Sequence, residues 1–229
     1  MLFPWSSDHD DDYAAQRARM VRVQLEDRGV RDARVLEAMR NVPRHEFLTE
    51  ELRDRSYEDH PLPIGCDQTI SQPYIVALML EHLTLQPSDR VLEIGTGSGY
   101  VTALLSVLCA EVHSVERHID LARLAGRRLA VLGYTNVAIK VGDGALGWPD
   151  HSPYDAILVS AAAAEIPAML LAQLREGGRM IIPIGPAVSQ ELELVRKVGG
   201  ASEIVRLEGC RFVPLISGQW PVGGGHGKS

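Results

Sequence analysis

Apolar residues recur along the chain at two spacings, and their succession predicts the architecture. From Tyr13 to Arg28 the spacing is helical: Met20, Val21, Val23 and Leu25 share a buried side, and Gly29 is placed to end the helix. A second, shorter helix has Asp32 as a cap, Val35, Leu36 and Met39 as its apolar stripe, and Pro43 as its stop. Glu46 to Tyr57 is charged and follows neither period. Pro61-Leu62-Pro63-Ile64-Gly65 cannot be regular helix and predicts an ordered loop or an extended crossing. Ile75, Val76, Leu78, Met79 and Leu83 then have the spacing of a buried helix that ends near Pro87.

From Val91 onward strand and helix patterns alternate. Val91, Leu92 and Ile94 suit a buried parallel strand, residues 100–108 a helix, 111–115 a strand, 119–132 a helix, and 137–141 and 154–159 two further strands. Leu170 to Leu174 completes a helix, Gly177-Gly178 breaks it, and residues 180–185 read as another strand end. The expected class is therefore α/β, a doubly wound sheet with an N-terminal helical appendage. Leu192 to Arg196, Ile204 to Leu207 and Arg211 to Leu215 predict antiparallel strands closing one edge. No repeat and no interdomain linker stands out, so residues 13–220 read as one domain, with 13–87 as appendage and 88–220 as sheet. Residues 1–12 read as a frayed acidic lead-in and 221–229 as a flexible, glycine-rich tail.

Composition narrows this picture by exclusion. With 229 residues, 45% of them apolar and 23% charged, the chain is globular in character, and no apolar run approaches a membrane span. A net charge of −7 argues against a partner bound through its phosphate backbone, so no nucleic acid and no membrane is expected. Cys66, Cys109 and Cys210 are odd in number and widely spaced, which predicts a reducing cytoplasm rather than a disulfide framework. The start lacks the basic and long apolar segments of a secretory signal. The eight histidines show no paired ligand spacing, so no metal is expected.

The candidate chemistry begins at Val91-Leu92-Glu93-Ile94-Gly95-Thr96-Gly97-Ser98-Gly99-Tyr100, where a strand pattern stops at three alternating glycines and a helix pattern follows. Glycines there let the backbone take φ > 0 and let a ligand touch the main chain. A dinucleotide fingerprint needs its third glycine where Tyr100 stands, which disfavours a pyrophosphate. Glu116 ends the next strand pattern, roughly 20 residues on, where a carboxylate accepts from ribose hydroxyls or is a solvated strand end. A nucleoside without a diphosphate fits, and S-adenosyl-L-methionine is such a ligand. Asp143, between Gly142 and Gly144, either faces the same crevice or closes an Asx-turn. Ser71 stands at a helix entrance before Pro73. It can cap the helix, yet Tyr74 replaces the Glu or Gln of a capping box, which leaves the hydroxyl available to a ligand.

These residues resemble the protein-L-isoaspartate O-methyltransferases, protein carboxyl methyltransferases that repair damaged aspartyl and asparaginyl sites. The resemblance runs nearly end to end, through Met39 to Phe47, Pro61 to Ala77, the glycine turn, Ser114 to Arg117, Gly142 to Gly144, Tyr154 to Pro167, Glu176 to Gly185 and Arg211 to Leu215. Thr69-Ile70-Ser71-Gln72-Pro73 is its most specific part, similar to the family's catalytic-serine segment, and it implies a catalytic Ser71. The implied fold is a Rossmann-like methyltransferase sheet. The implied cofactor is S-adenosyl-L-methionine, with S-adenosyl-L-homocysteine as product. Its implied site comprises Thr69, Ile70, Ser71, Glu93, Gly95, Thr96, Gly97, Ser98, Gly99, Glu116, Arg117, Asp143 and Gly144, and Pro63, Ile64, Ser71, Ala161 and Ala162 are implied for the acceptor. The implied partners are isoaspartyl proteins and peptides, met by a monomer. Ala163 and Ala164 stand where many relatives carry prolines, and Cys66-Asp67 replaces a small or polar pair. Rival readings are a small-molecule methyltransferase, a dehydrogenase, a non-catalytic nucleoside binder, and a peptide-tailoring relative that methylates ordinary aspartate in one partner peptide.

Overall fold

The computed structural model describes residues 7–218, with side chains from residue 12. The first six residues and the tail read at 221–229 lie outside the described residues. Helix α1, Ser7–Met20, starts within the stretch read as a frayed lead-in. It passes into one π turn, Val21–Leu25, and a 3-10 turn closed by Gly29 at φ 104°. Met20, Val21 and Leu25 are buried, whereas Val23 is 42% exposed. Val21 and Leu25 stack one turn apart and define the inward face, and a residue two places from Val21 points away from it. Helix α2, Ala33–Asn41, is capped as expected, since the Asp32 side chain accepts from the Arg34 and Val35 amides.

The proline-containing crossing at residue 61 becomes a hairpin, β1 (Leu62–Gly65) paired antiparallel with β2 (Gln68–Ile70). Cys66 and Asp67 turn it with φ of 52° and 57°. Helix α3, Pro73–Leu83, follows, and its N-cap is Gln72 rather than Ser71, with no side-chain cap hydrogen bond. The main sheet has seven strands: β3 (Arg90–Ile94), β4 (Glu111–Glu116), β5 (Val137–Val141), β6 (Tyr154–Val159), β7 (Leu174–Ile184), β8 (Gln190–Val198) and β9 (Ala201–Cys210), in the order β5-β4-β3-β6-β7-β8-β9. Strands β3 to β7 pair in parallel, and β8 and β9 add antiparallel. Helices α4 (Tyr100–Leu108), α5 (Ile119–Val131) and α6 (Ala168–Gln173) complete the winding.

The chain leaves β3 toward β4 and β5, then returns to lay β6 on the other side of β3. Between the ends of β3 and β6 lies the topological switch point, where open α/β sheets bind ligands. One buried cluster joins the N-terminal helices to α3, α4 and one sheet face, with Met39, Leu83, Leu104 and Val91 at its centre. A second, built on Leu92, Ile157 and Ile182, fills the other face. Full burial of each such side chain contributes about 1.5–3 kcal/mol, so the appendage is held to the sheet by its core.

Two expectations need correction. Strand β7 begins at Leu174, and Gly177-Gly178 sits inside it: its pairing with β6 slips between Leu174 and Arg179, with Gly177 at φ 73°. A bulge absorbs the glycines that read as a helix breaker. Arg211 to Leu215 is not a third antiparallel strand. The Gln190 side chain takes both backbone groups of Phe212, accepting from its amide at 2.6 Å and donating to its carbonyl at 3.0 Å. Pro214 then lacks the donor a ladder requires. The segment crosses the strand ends as a strap, with the Ala162 amide donating to Val213 O (2.8 Å) and the Leu215 amide to Ala162 O (2.7 Å).

Candidate active site

The glycine turn after β3 has the predicted backbone: Gly95, Gly97 and Gly99 lie at φ 94°, 53° and 92°, a region side chains rarely adopt. The turn is pinned from β4. Glu116, 5% exposed, accepts from the Gly97 amide through Oε2 and from the His118 amide through Oε1, both at 2.8 Å. A carboxylate has about four acceptor sites, so two remain for ligand hydroxyls. These residues border a cavity at the switch point. Its wall includes Gly95, Thr96, Gly97, Ser98, Glu116 and Arg117 from the turn and the end of β4. Thr69, Ile70 and Ser71 come from the hairpin side, with Gly144 and Ala161 from the strand ends. A Cβ on Gly144 would stand 2.4 Å from Ile94 Cγ2, so this edge of the cavity tolerates no side chain.

Six residues expected at the site stand outside the cavity walls. Glu93 lies beneath the floor, fully buried, with Oε2 accepting at 2.6 Å from both Thr102 and Ser114. Burial pushes its carboxyl up to about 8 against the pull of those two hydroxyls. It reaches the cavity only through Ser114, whose hydroxyl is 2.5 Å from that of Thr96. Gly99 is the N-cap of α4, where a Cβ would press on Ala125 at 3.3 Å, so it serves helix packing. Asp143 takes its Asx role: Oδ1 accepts from the Ala145 amide (2.9 Å) and Oδ2 from the Gly218 amide (2.8 Å), which ties down the strap's end. Pro63 is exposed, and Ile64 packs its tip over Gly97, because in this hairpin β2 rather than β1 faces the cavity. Ala162 stays behind the wall and holds the strap through its main chain.

A second cavity adjoins the first. Thr69, Ser71, Ser160 and Val213 border both, so Ser71 stands where the two meet. Its hydroxyl has no hydrogen-bond partner among the described residues, while its carbonyl accepts from Arg44 at 2.8 Å. The N-cap role is thus vacated and the hydroxyl faces space that a ligand can fill. Sequence reasoning missed the strap, which brings Val213 to Ile216 over the first cavity, with the Arg117 guanidinium donating to Ile216 O at 3.0 Å. It also missed Arg44 and Gln190. None of the three carries a local pattern, because their roles depend on partners far away in the chain.

A doubly wound sheet with a glycine turn, a strand-end carboxylate and a cavity at the switch point defines a nucleoside-binding transferase of the S-adenosylmethionine class. Comparison with known proteins makes this specific. The family model described as protein-L-isoaspartate(D-aspartate) O-methyltransferase (PCMT) matches residues 15–220. A protein-L-isoaspartate O-methyltransferase of Koribacter versatilis is 52% identical, over 90% of this chain and 93% of its own. One from Syntrophobacter fumaroxidans is 53% identical, over 89% and 95%. A solved protein-L-isoaspartate O-methyltransferase structure superposes with a TM-score of 0.80 at 34% identity, covering 89% of this chain and 67% of the other. A Plasmodium falciparum structure described as a putative member, in complex with S-adenosyl-L-homocysteine, gives 0.77 at 29% identity over 87% and 98%. The chain belongs to the protein-L-isoaspartate O-methyltransferase family.

Proposed function

We infer that the two adjoining cavities serve one reaction, methyl transfer from S-adenosyl-L-methionine to the free α-carboxylate of L-isoaspartyl residues in damaged proteins, which opens repair through a succinimide. The observation that carries the reading is the place of Ser71, on the border of both cavities with its hydroxyl unclaimed. The first cavity fits the cofactor: the glycine turn lines it with main chain, and Glu116 keeps acceptor sites for ribose hydroxyls after fixing the turn. Bound there, the cofactor supplies an electrophilic methyl group on a sulfonium.

The chain's own residues then have three tasks. Gly95 to Ser98 and Glu116 hold the nucleoside and its tail. Ser71 donates to the acceptor carboxylate and aims one oxygen in line, a positioning contribution that can lower a barrier by several kcal/mol. The strap from Val213 to Ile216 keeps water out. No general base is required, because a carboxylate is ionised near neutral pH. Support for breadth comes from the second cavity, whose wall includes the end of β9 and the start of the strap, Gly209 to Val213, along which an extended peptide can lie. Family membership favours this over tailoring of one dedicated peptide. The reading extends to residues 13–220 as one catalytic domain, supported by the shared core, and to a cytoplasmic protein without nucleic-acid partners, supported by the free cysteines and the net charge.

The test is a comparison of matched isoaspartyl and aspartyl peptides. Isoaspartate carries its carboxylate directly on the α-carbon and aspartate one methylene further out, and an error of about 1 Å can cost on the order of a hundredfold. Base-labile methyl ester should form on many unrelated isoaspartyl peptides, with kcat/KM at least about a hundredfold above the aspartyl isomers. Equal rates on both isomers, or activity confined to one sequence, would overturn the assignment.

A further inference from the structure

Arg44 begins the short 3-10 turn that follows α2, and its side chain is completely buried. Its Nε donates to Ser56 O at 2.7 Å and its Nη2 to Ser71 O at 2.8 Å. The guanidinium lies 4.9 Å over the ring of Tyr100, a residue of the cofactor cavity wall. The remaining nitrogen, Nη1, is buried without a partner. Among the described residues no carboxylate is within ion-pair distance, and Asp59, whose field reaches it, is engaged by Arg28 at 2.6 Å. Burial draws its pKa down to about 10, which still leaves it a cation at neutral pH. Taking such a charge out of water without a carboxylate is unfavourable to folding, and its two carbonyl acceptors and the Tyr100 ring offset only part of that cost.

Arg44 lines neither cavity, but Ser71, whose carbonyl it holds, borders both, and the acceptor cavity receives an anion. We propose that Arg44 supplies the positive field of the acceptor site, a positioning residue that holds the Ser71 main chain and draws the isoaspartyl carboxylate into place beside it. This rests on the reading of Ser71 given above. Between a buried cation and a ligand that displaces water, charge interactions are screened far less than at the surface. Arg211 also borders the second cavity but is exposed, and Arg117 is spent on the strap.

The direction of the effect follows from the charges. As the acceptor oxygen bonds to the methyl carbon, the C–S bond breaks with its electron pair going to sulfur, and the carboxylate becomes a neutral ester. Much of that negative charge is still on the acceptor in the transition state, so a fixed cation stabilises the bound acceptor and the transition state to a similar degree and lowers KM with little change in kcat. Arg44→Met should raise KM for an isoaspartyl peptide at least about tenfold and keep kcat and the Kd for S-adenosyl-L-homocysteine within about twofold, while the Ser56 and Ser71 carbonyls left without a donor lower Tm. Arg44→Lys, which keeps the charge, should restore most of the lost affinity. A measurement on the unaltered enzyme stands beside these. With S-adenosyl-L-homocysteine bound, the carboxyl of a peptide labelled with carbon-13 at isoaspartate should titrate at least about one pH unit lower than in the free peptide.

A bound carboxyl that titrates at or above its free value overturns the proposal, and this result decides the matter if Arg44→Met does not fold. So does an unchanged KM in Arg44→Met, or a joint fall of kcat and cofactor affinity, which would make Arg44 architectural. Failure of the Ser71 reading is separate: it would leave turnover intact in Ser71→Ala, whatever the carboxyl titration shows.

Discussion

The cofactor cavity and the acceptor cavity share a border but are built by opposite means. Around the cofactor, the turn after β3 and the end of β4 supply a local part of the wall: Gly95 and Gly97 at positive φ and one carboxylate bound to two amides. Around the acceptor, the wall gathers a hairpin near residue 70, β8 near residue 190 and the strap near residue 212, held by single side chains such as Gln190 and Arg44. A pocket made by local backbone conformation is rigid and general to its ligand. A pocket assembled by long-range ties can be changed one tie at a time.

The strongest way to break this contrast is at Glu116, where one side chain serves both the turn and the ligand. Glu116→Ala should weaken S-adenosyl-L-methionine binding by about 1–3 kcal/mol, the cost of leaving buried partners unpaired, with calorimetry as the measure. An unchanged Kd in a folded variant would remove Glu116 from the ribose site. Ser71→Ala attacks the acceptor side instead. Methyl transfer should fall at least about tenfold, roughly 1.4 kcal/mol of transition-state stabilisation, while cofactor affinity stays near that of the wild type. A drop in melting temperature alone would return Ser71 to a structural role.

The smallest effect should come from Gln190→Ala, which removes both hydrogen bonds to Phe212 and loosens the strap shared by the two cavities. At about 0.5–1.5 kcal/mol per net hydrogen bond, partly recovered by water, affinities for cofactor and peptide should weaken together by a few fold. Amide exchange at Val213 to Ile216 should rise in parallel. Protection equal to the wild type would show that Ala162 and Asp143 suffice to hold the strap.

What could be read from the sequence alone was whatever neighbouring residues decide. The alternation of buried strands and helices from Val91 to Val159, the Asp32 cap, the glycines of the turn and the strand-end carboxylate of Glu116 all follow from local sterics and periodicity, and the structure has them where expected. Tertiary structure alone decided the fates of Arg211 to Leu215, Ser71 and Glu93. The first has strand propensity, but a Gln190 side chain and the Ala162 backbone take its hydrogen bonds and turn it into a strap. Ser71 is a strong capping residue by type, yet Gln72 takes the N-cap and leaves Ser71 at the meeting of two cavities. Glu93 sits in the turn's own segment, but the alternation of a strand sends its carboxyl under the sheet toward Thr102 and Ser114 rather than into the pocket. In each case the hydrogen-bond partner lies on another element, and no local pattern encodes which element will arrive.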